Sequence, residues 1–289
     1  MKALFLITVL LVSKILTAQD TKPAYIIYSN SKQVDYAKML EKCSEADIVF
    51  FGEHHNNPIH HWLQHELTKD LYEKKSGKII LGAEMFETDN QLVLNEYLQE
   101  LIKEKNFKEE VKLWNNYETD YKPLIEFAKE NSLDFIATNI PRRYAAVVNH
   151  SGFEGLTNLS EETLTYIAPI PIPFDSTLSS YKQMSKMMMP GKSGSSNIAL
   201  AQASKDATMA YFILENYKQG YTFIHFNGSY HSDYYEGIIW YFNHYLDKKE
   251  KNKNIVSISV EEVDDMNTKP DMKRADFIIV TPITMTKTY

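Results

Sequence analysis

The chain contains a single cysteine, Cys43, in 289 residues. That excludes an internal disulfide and any cysteine-based zinc site, and leaves Cys43 most simply as a small buried residue on a helix. Positive charge is also scarce: 31 Lys and Arg face 38 Asp and Glu, for a net charge of −7. A nucleic-acid binder needs a basic stripe that displaces counterions, so dispersed lysines on an acidic chain argue against that class. Long apolar runs are missing as well, and beyond the first residues no stretch approaches the roughly 20 residues that cross a bilayer as a helix. No internal repeat is visible.

The start of the chain has a pattern of its own. Met1-Lys2 is basic, Ala3 to Val12 is unbroken apolar, and Thr17-Ala18-Gln19 is small or neutral before Asp20. This is the form of a cleavable secretory signal, and its apolar run of about ten residues is too short for a span. Cleavage after Ala18 or Gln19 is expected, with residues 1–19 a signal peptide and 20–289 one domain. Because Cys43 lies far downstream, there is no lipobox cysteine, and the expected location is the periplasm or cell envelope. Removing the leader takes away Lys2 and Lys14 and makes the chain more acidic still.

Apolar runs alternate with longer amphipathic segments. Strands are predicted at 47–51, 78–82, 134–138, 221–226, 255–260 and 277–280. Helices are predicted at 31–46, 58–75, 89–105, 108–116, 121–131, 142–150, 176–189, 197–219 and 234–246. Asn57-Pro58 fits an N-cap followed by proline at the first helical position. Alternate prolines hold 168–174 extended. Strands separated by helices imply an α/β fold with a mostly parallel central sheet covered by helices, and a helical insertion separates the third and fourth predicted strands.

Ligands in open α/β sheets sit beyond the carboxyl ends of the strands, so the residues after each strand matter most. The first four strands are followed by Gly52-Glu53-His54-His55, Ala83-Glu84-Met85-Phe86-Glu87, Asn139-Ile140-Pro141-Arg142-Arg143 and Asn227-Gly228-Ser229-Tyr230-His231. Any one of these is an ordinary turn group. Four rims that all carry titratable or amide side chains point to one cleft, where burial would shift their pKa values. Glu53, His55, Glu84 and His231 have the chemistry to hold a divalent metal such as zinc, manganese or cobalt that activates water, with Glu84 as a possible general base; a metal-dependent hydrolase is therefore one reading. His60 or His61 would stand near the rim. The pair His61 and His65 shares a helix face, but Trp62 replaces the glutamate a zincin needs. Gly191-Lys192-Ser193 mimics the end of a phosphate loop without its first glycine or a preceding strand. Tyr181 to Met189 carries four methionines, Met184, Met187, Met188 and Met189, adaptable side chains that suit either a flat apolar ligand or an ordinary covering helix.

Taken in order, several of these motifs resemble the ChaN-like haem-binding family, which groups with the Tiki/TraB and erythromycin-esterase-like proteins. The likeness runs from about Asp47 to Tyr241. It is carried by Gly52 to His61 with Gln64, by Gly82 to Phe86, and by Trp114, Tyr117 and Tyr121. It continues through Ala137 to Arg142, Ala201 to Ala210 and Gly228 to His231. The resemblance implies an α/β fold, haem binding linked to homodimer formation, a role in iron or haem acquisition at the envelope, and a possible envelope receptor or transporter as partner. Within the Gly-Glu-x-His motif it selects Glu53 and His55, with His54 in the variable slot. Family haem binding looks tyrosine-centred, so Tyr181 is the first candidate ligand and Tyr230 or Tyr234 the second. Met184 and Met188 are expected as apolar cover, with His55, His231, Asn139 and Arg142 lining the site. Tyrosinate, imidazole and thioether are all haem-iron ligands, and a five-coordinate tyrosine site suits capture over electron transfer.

Overall fold

The computed structural model describes residues 22–186, 197–247 and 252–289. The expected leader, Met187 to Met189 (Met188 among the candidate site residues) and the Gly191-Lys192-Ser193 motif lie outside the described residues. In chain order the elements are β1 (Ile26–Ser29), β2 (Lys32–Val34), α1 (Tyr36–Ser44), β3 (Ile48–Glu53), α2 (Pro58–Lys74), β4 (Ile79–Glu87), α3 (Gln91–Leu98), α4 (Glu104–Glu110) and α5 (Lys122–Glu130). There follow β5 (Phe135–Asn139), α6 (Arg142–Ser151), α7 (Glu161–Leu164), α8 (Ser179–Lys186), α9 (Ile198–Asn216), β6 (Thr222–Gly228), α10 (Ile238–Asp247), β7 (Ile255–Val263) and β8 (Phe277–Pro282).

Among the described residues, eight strands form one sheet in the order β2-β1-β8-β7-β3-β6-β4-β5. From β8 to β5 all neighbours are parallel, and only β1 and β2 run antiparallel at one edge. The α/β architecture with helical cover is therefore as expected, and α6 to α9 form the insertion between the third and fourth expected strands. Side-chain alternation divides the core. Val49 and Phe51 join one apolar cluster with Leu63, Leu67 and Leu71 of α2, while Ile48 and Phe50 join the opposite one with Ala207, Met209 and Ile213 of α9. Both faces being covered explains why the central strands read as continuous apolar runs.

Local chemistry fixes the ends of the elements that present the site. The Asn57 side chain accepts the Ile59 N–H at 3.0 Å, and Pro58 opens α2. Where expectation and structure differ, backbone sign is the usual reason. The expected helix from 31 to 46 is shortened to α1, because Asn30 and Ser31 both take positive φ and make a two-residue hairpin turn between β1 and β2. Asp35 then caps α1 by accepting the Lys38 N–H at 2.8 Å. The expected helices at 89–105 and 108–116 become α3 and α4, broken at Glu100 with φ 60°, and α4 stops at Glu110. The helix expected to begin at Tyr234 begins at Ile238, since Tyr234 and Tyr235 sit in the left-handed region. α9 ends at Asn216, short of Gly220. Cys43 is buried on α1, as its type suggested.

Candidate functional site

The parallel register brings the ends of β3, β6 and β4 side by side, so Glu53, Glu84, Gly228 and the turn after it share one rim. Glu53 is buried and fully engaged. One carboxylate oxygen accepts from His55 Nδ1 at 2.9 Å and from the Tyr121 hydroxyl; the other accepts from Gln64 Nε2 at 2.6 Å. Burial alone would raise its pKa, but the neighbouring His61, His55 and Tyr121 outweigh burial and hold it down to about 2. His61 lies 3.1 Å from Gln64 Oε1 and 3.0 Å from the His55 carbonyl oxygen, which also accepts from Asn116 at 2.6 Å. His55 is thus braced at its ring and its backbone. Its ring packs edge-on to Trp114, with centroids 4.6 Å apart, and its side chain remains 36 % exposed. Burial works against charge on His55, but the bond to Glu53 and the charge of Glu84 raise its pKa.

A second relay stands opposite. Glu84 accepts the Gly228 N–H at 2.8 Å and lies 3.1 Å from His231 Nε2. His231 turns its other nitrogen, Nδ1, to Asp206 of α9, and Asp206 accepts the Tyr181 hydroxyl at 2.7 Å. Burial opposes charge on His231, yet Glu84 and Asp206 push its pKa up to about 10, so it is an imidazolium at neutral pH. Burial would raise Glu84 as well, but His231, His55 and the Gly228 N–H hold it well below the ordinary range. Gly228 keeps the two relays together: a Cβ there would meet His55 Cε1 and Nε2 at 2.9 Å.

The expected cluster of Glu53, His55, Glu84 and His231 is therefore assembled at one rim. The metal reading of it finds no support. Among the described residues no group of three or more His, Cys, Asp or Glu side chains is placed to hold a metal ion. The reason is visible in the bonding: both Glu53 oxygens and both His231 nitrogens are already taken by protein partners.

The tyrosines fall out differently from expectation. Tyr181, the first candidate, is 1 % exposed; burial and Asp206 drive its pKa up, and its hydroxyl is committed to Asp206. It is a support for the relay and does not stand free beside a ligand. Tyr230 donates to the Ser180 carbonyl at 2.6 Å and helps dock α8. Tyr234 is 40 % exposed, at φ 61°, and among the described residues its hydroxyl makes one long contact, 3.4 Å to Asp271. It lines a cleft of about 180 Å³ with Ser179, Gln183, Tyr230, Asp233 and Arg274. Met184 is half-buried against the α9-side core. Asn139 and Arg142 lie elsewhere, on a smaller cleft beside Glu84. His60 is an internal brace: it accepts the His54 N–H at 3.1 Å, and burial lowers its pKa to about 3.

Asp206, Gln64, Tyr121 and Arg274 had no role assigned from the sequence alone. Asp206 gave one signal: it is a lone acid on the buried face of an alanine-rich helix, in phase with Ala199, Ala203 and Ala210. A buried carboxylate in that position needs a cation or donors nearby.

Comparison with known proteins agrees with this architecture. A family model described as haem-binding uptake, Tiki superfamily, ChaN matches residues 39–242. The chain belongs to that family. A solved structure described as cofacial haem binding to ChaN of Campylobacter jejuni superposes with a TM-score of 0.66 at 17 % identity, over 89 % of this chain and 96 % of that one. At that identity the likeness speaks for the ChaN fold alone. The chloroplastic Protein RETICULATA-RELATED 5 of Arabidopsis thaliana is 27 % identical over 199 residues, which is 64 % of this chain; the chain spans 27 % of that relative's length. Among the described residues no helix of this ChaN-family chain is long and apolar enough to cross a membrane.

Proposed function

We propose that this chain is an exported haem-binding protein of iron or haem acquisition, with haem held on the face formed by Tyr234, α8 and the turn before α10. The observation that carries the reading is the match to the haem-binding uptake family across residues 39–242. The residues at this face fit the group. Tyr234 offers the freest phenol of the three candidate tyrosines, and the Arg274 guanidinium, held by Asp233 at 3.6 Å and Glu261 at 3.5 Å, lines the same cleft. A tyrosine side chain is one of the protein ligands that hold haem iron. When bound, haem would supply a ferric iron, and Tyr234 is the residue that would hold it. The chain's own part is to present Tyr234 in a left-handed conformation that a non-glycine residue adopts only under constraint. The Tyr234 N–H bond to the Arg274 carbonyl, at 2.8 Å, supplies part of that constraint.

A cleft of about 180 Å³ is below the roughly 300–1,000 Å³ of pockets that enclose a ligand. A flat macrocycle held here needs a second covering surface, and a second copy of the chain is the proposed one. Export to the envelope and hand-over to an envelope receptor or transporter complete the reading.

Haemin titration of the purified chain, read by the Soret band, tests it. Tyr234→Phe is expected to shift the band and weaken binding at least about tenfold. Tyr181→Phe is expected to leave the spectrum unchanged while lowering stability by about 1–3 kcal/mol, since Asp206 loses a buried donor. An unchanged spectrum in Tyr234→Phe with a lost one in Tyr181→Phe reverses the assignment. A chain that stays monomeric in size-exclusion at saturating haemin rules out the shared site.

A further inference from the structure

α8 forms one wall of the cleft that holds Tyr234, yet its own sequence gives it no cap. It has eight residues, and isolated helices shorter than about 12–15 residues are marginal in water. The Lys182 N–H bonds the Leu178 carbonyl at 3.0 Å, so Leu178 stands at the capping position, where its side chain offers no acceptor. The nearest local acceptor, Asp175 Oδ1, is taken by the Thr177 N–H at 2.8 Å and the Thr177 hydroxyl at 2.6 Å. The first N–H groups of α8 therefore need an acceptor from elsewhere in the chain.

Glu236 supplies it. Its Oε1 accepts from the Ser179 N–H and the Ser179 hydroxyl, both at 2.9 Å, and its Oε2 accepts the Ser180 N–H at 2.8 Å. Glu236 lies 56 residues beyond Ser180 and directly after Tyr234 and Tyr235, so one side chain ties the start of α8 to the left-handed turn. A carboxylate at a helix start is favoured by the dipole, and its hydrogen bonds are charge-assisted. Burial would raise the Glu236 pKa, but the bonds from Ser180 and Ser179 hold it below the ordinary range. Two other contacts hold α8, and neither replaces this one. Tyr181 ties it to α9 through Asp206 and leaves the turn free. The Tyr230 hydroxyl does join the turn to the Ser180 carbonyl, at 2.6 Å, but as one uncharged bond against three to a carboxylate. Glu236 does not line the cleft; it holds the wall of Ser179, Ser180 and Gln183 against the wall that carries Tyr234.

We propose that Glu236 is a positioning residue for haem: its carboxylate pins α8 to the turn that presents Tyr234 and so sets the spacing of the two walls that the macrocycle meets. The proposal rests on the haem reading above and adds to it a residue that touches neither the macrocycle nor the iron. Removing the carboxylate leaves the Tyr234 phenol in the chain, so the loss falls on affinity and not on the identity of the iron's ligand.

The test is haemin titration of the full chain, read by the Soret band, with urea unfolding of each variant alongside. Glu236→Ala is expected to weaken haemin binding at least about tenfold while the Soret maximum of the saturated protein stays at the wild-type position. Glu236→Gln keeps an oxygen for the Ser179 pair but turns an NH2 group toward the Ser180 N–H, and is expected to fall between the two; if Glu236→Ala does not fold, Glu236→Gln decides. Gly220→Ala, at a turn with nothing within 4 Å of its Cβ position, is the control for lost stability alone, and is expected to lower the urea midpoint and bind haemin as the wild type does. Wild-type affinity in Glu236→Ala, an equal loss of affinity in Gly220→Ala, or a moved Soret maximum in Glu236→Ala overturns the proposal. The haem reading fails on a different variant. If Tyr234→Phe keeps the wild-type band and affinity, the haem face itself is misplaced; if Tyr234→Phe loses them and Glu236→Ala does not, the Glu236 assignment alone falls.

Discussion

Replacing His231 with leucine is expected to lower stability by about 3–5 kcal/mol at neutral pH, because it removes the cation from a buried charge cluster and leaves both partners behind. Glu84 would keep the Gly228 N–H and Asp206 would keep the Tyr181 hydroxyl, but neither donor is charged. The pH dependence gives the effect a signature. His231 has its pKa raised from 6.5 to about 10 in the folded chain, mainly by Glu84 and Asp206 acting against burial. A raised pKa contributes stability that is full below about 6.5 and is lost as pH rises through about 10. Glu84, with its pKa lowered by the same contact, contributes stability present above its ordinary 4.5 and lost only as pH falls well below that. The two shifts describe one ion pair and count once. Urea unfolding of the wild type should therefore show a steady decline from 6.5 to 10, beside a separate fall on the acid side of 6.5, where buried His60 and His225, with pKa lowered to about 3 and about 4, resist protonation. In His231→Leu the decline disappears. Relative to the wild type, the variant should lose less stability toward acid, where Glu84, left without its cation, can take up a proton. A variant that loses less than about 1 kcal/mol, the cost of an ordinary surface change, would show that the cluster is not held by charge.

How far the chain's own letters foretold this cluster depends on which interaction fixes each residue. Strands β3, β4, β5 and β6 are legible because burial on both faces demands continuous apolar runs, and parallel pairing then places Glu53, Glu84, Asn139 and His231 at one end. Periodicity does not carry the sign of φ. Asn30-Ser31 was open to a hairpin reading, since asparagine tolerates the left-handed region, but Tyr234-Tyr235 was not, since tyrosine rarely enters it. Nor does the sequence show which of several tyrosines will be committed to a partner. Tyr181 stands beside the methionines in sequence, yet its phenol is claimed by Asp206, which lies 25 residues away on another helix. That pairing exists only once α8 packs on α9. The same packing turns His231 from an apparent metal ligand into a bridge between two carboxylates.

The turn from His231 to α10 is where the relay and the tyrosine face meet, and Gly237 is its tightest point. Its φ is +55°, and a Cβ there would lie 2.2 Å from the His231 carbonyl oxygen and 3.3 Å from Asp206 Cγ. Gly237→Ala therefore carries two costs. Placing an alanine in the left-handed region takes about 1–2 kcal/mol, and the overlap with backbone adds a packing cost of about 1–3 kcal/mol. Gly220 separates the two. It also has positive φ, +86°, but nothing lies within 4 Å of its Cβ position, so Gly220→Ala should lose only the conformational part, about 1–2 kcal/mol. The expected result in urea unfolding is that Gly237→Ala is the less stable of the two by about 1–3 kcal/mol. Relief of the overlap must move the His231 carbonyl or the chain that carries Tyr234 and Tyr235. Gly237→Ala should then also weaken haemin binding and flatten the decline in stability from 6.5 to 10 that His231 provides, while Gly220→Ala leaves both as in the wild type. Equal losses in the two variants would mean that the turn yields freely and that Gly237 does not lock the relay to the tyrosine face.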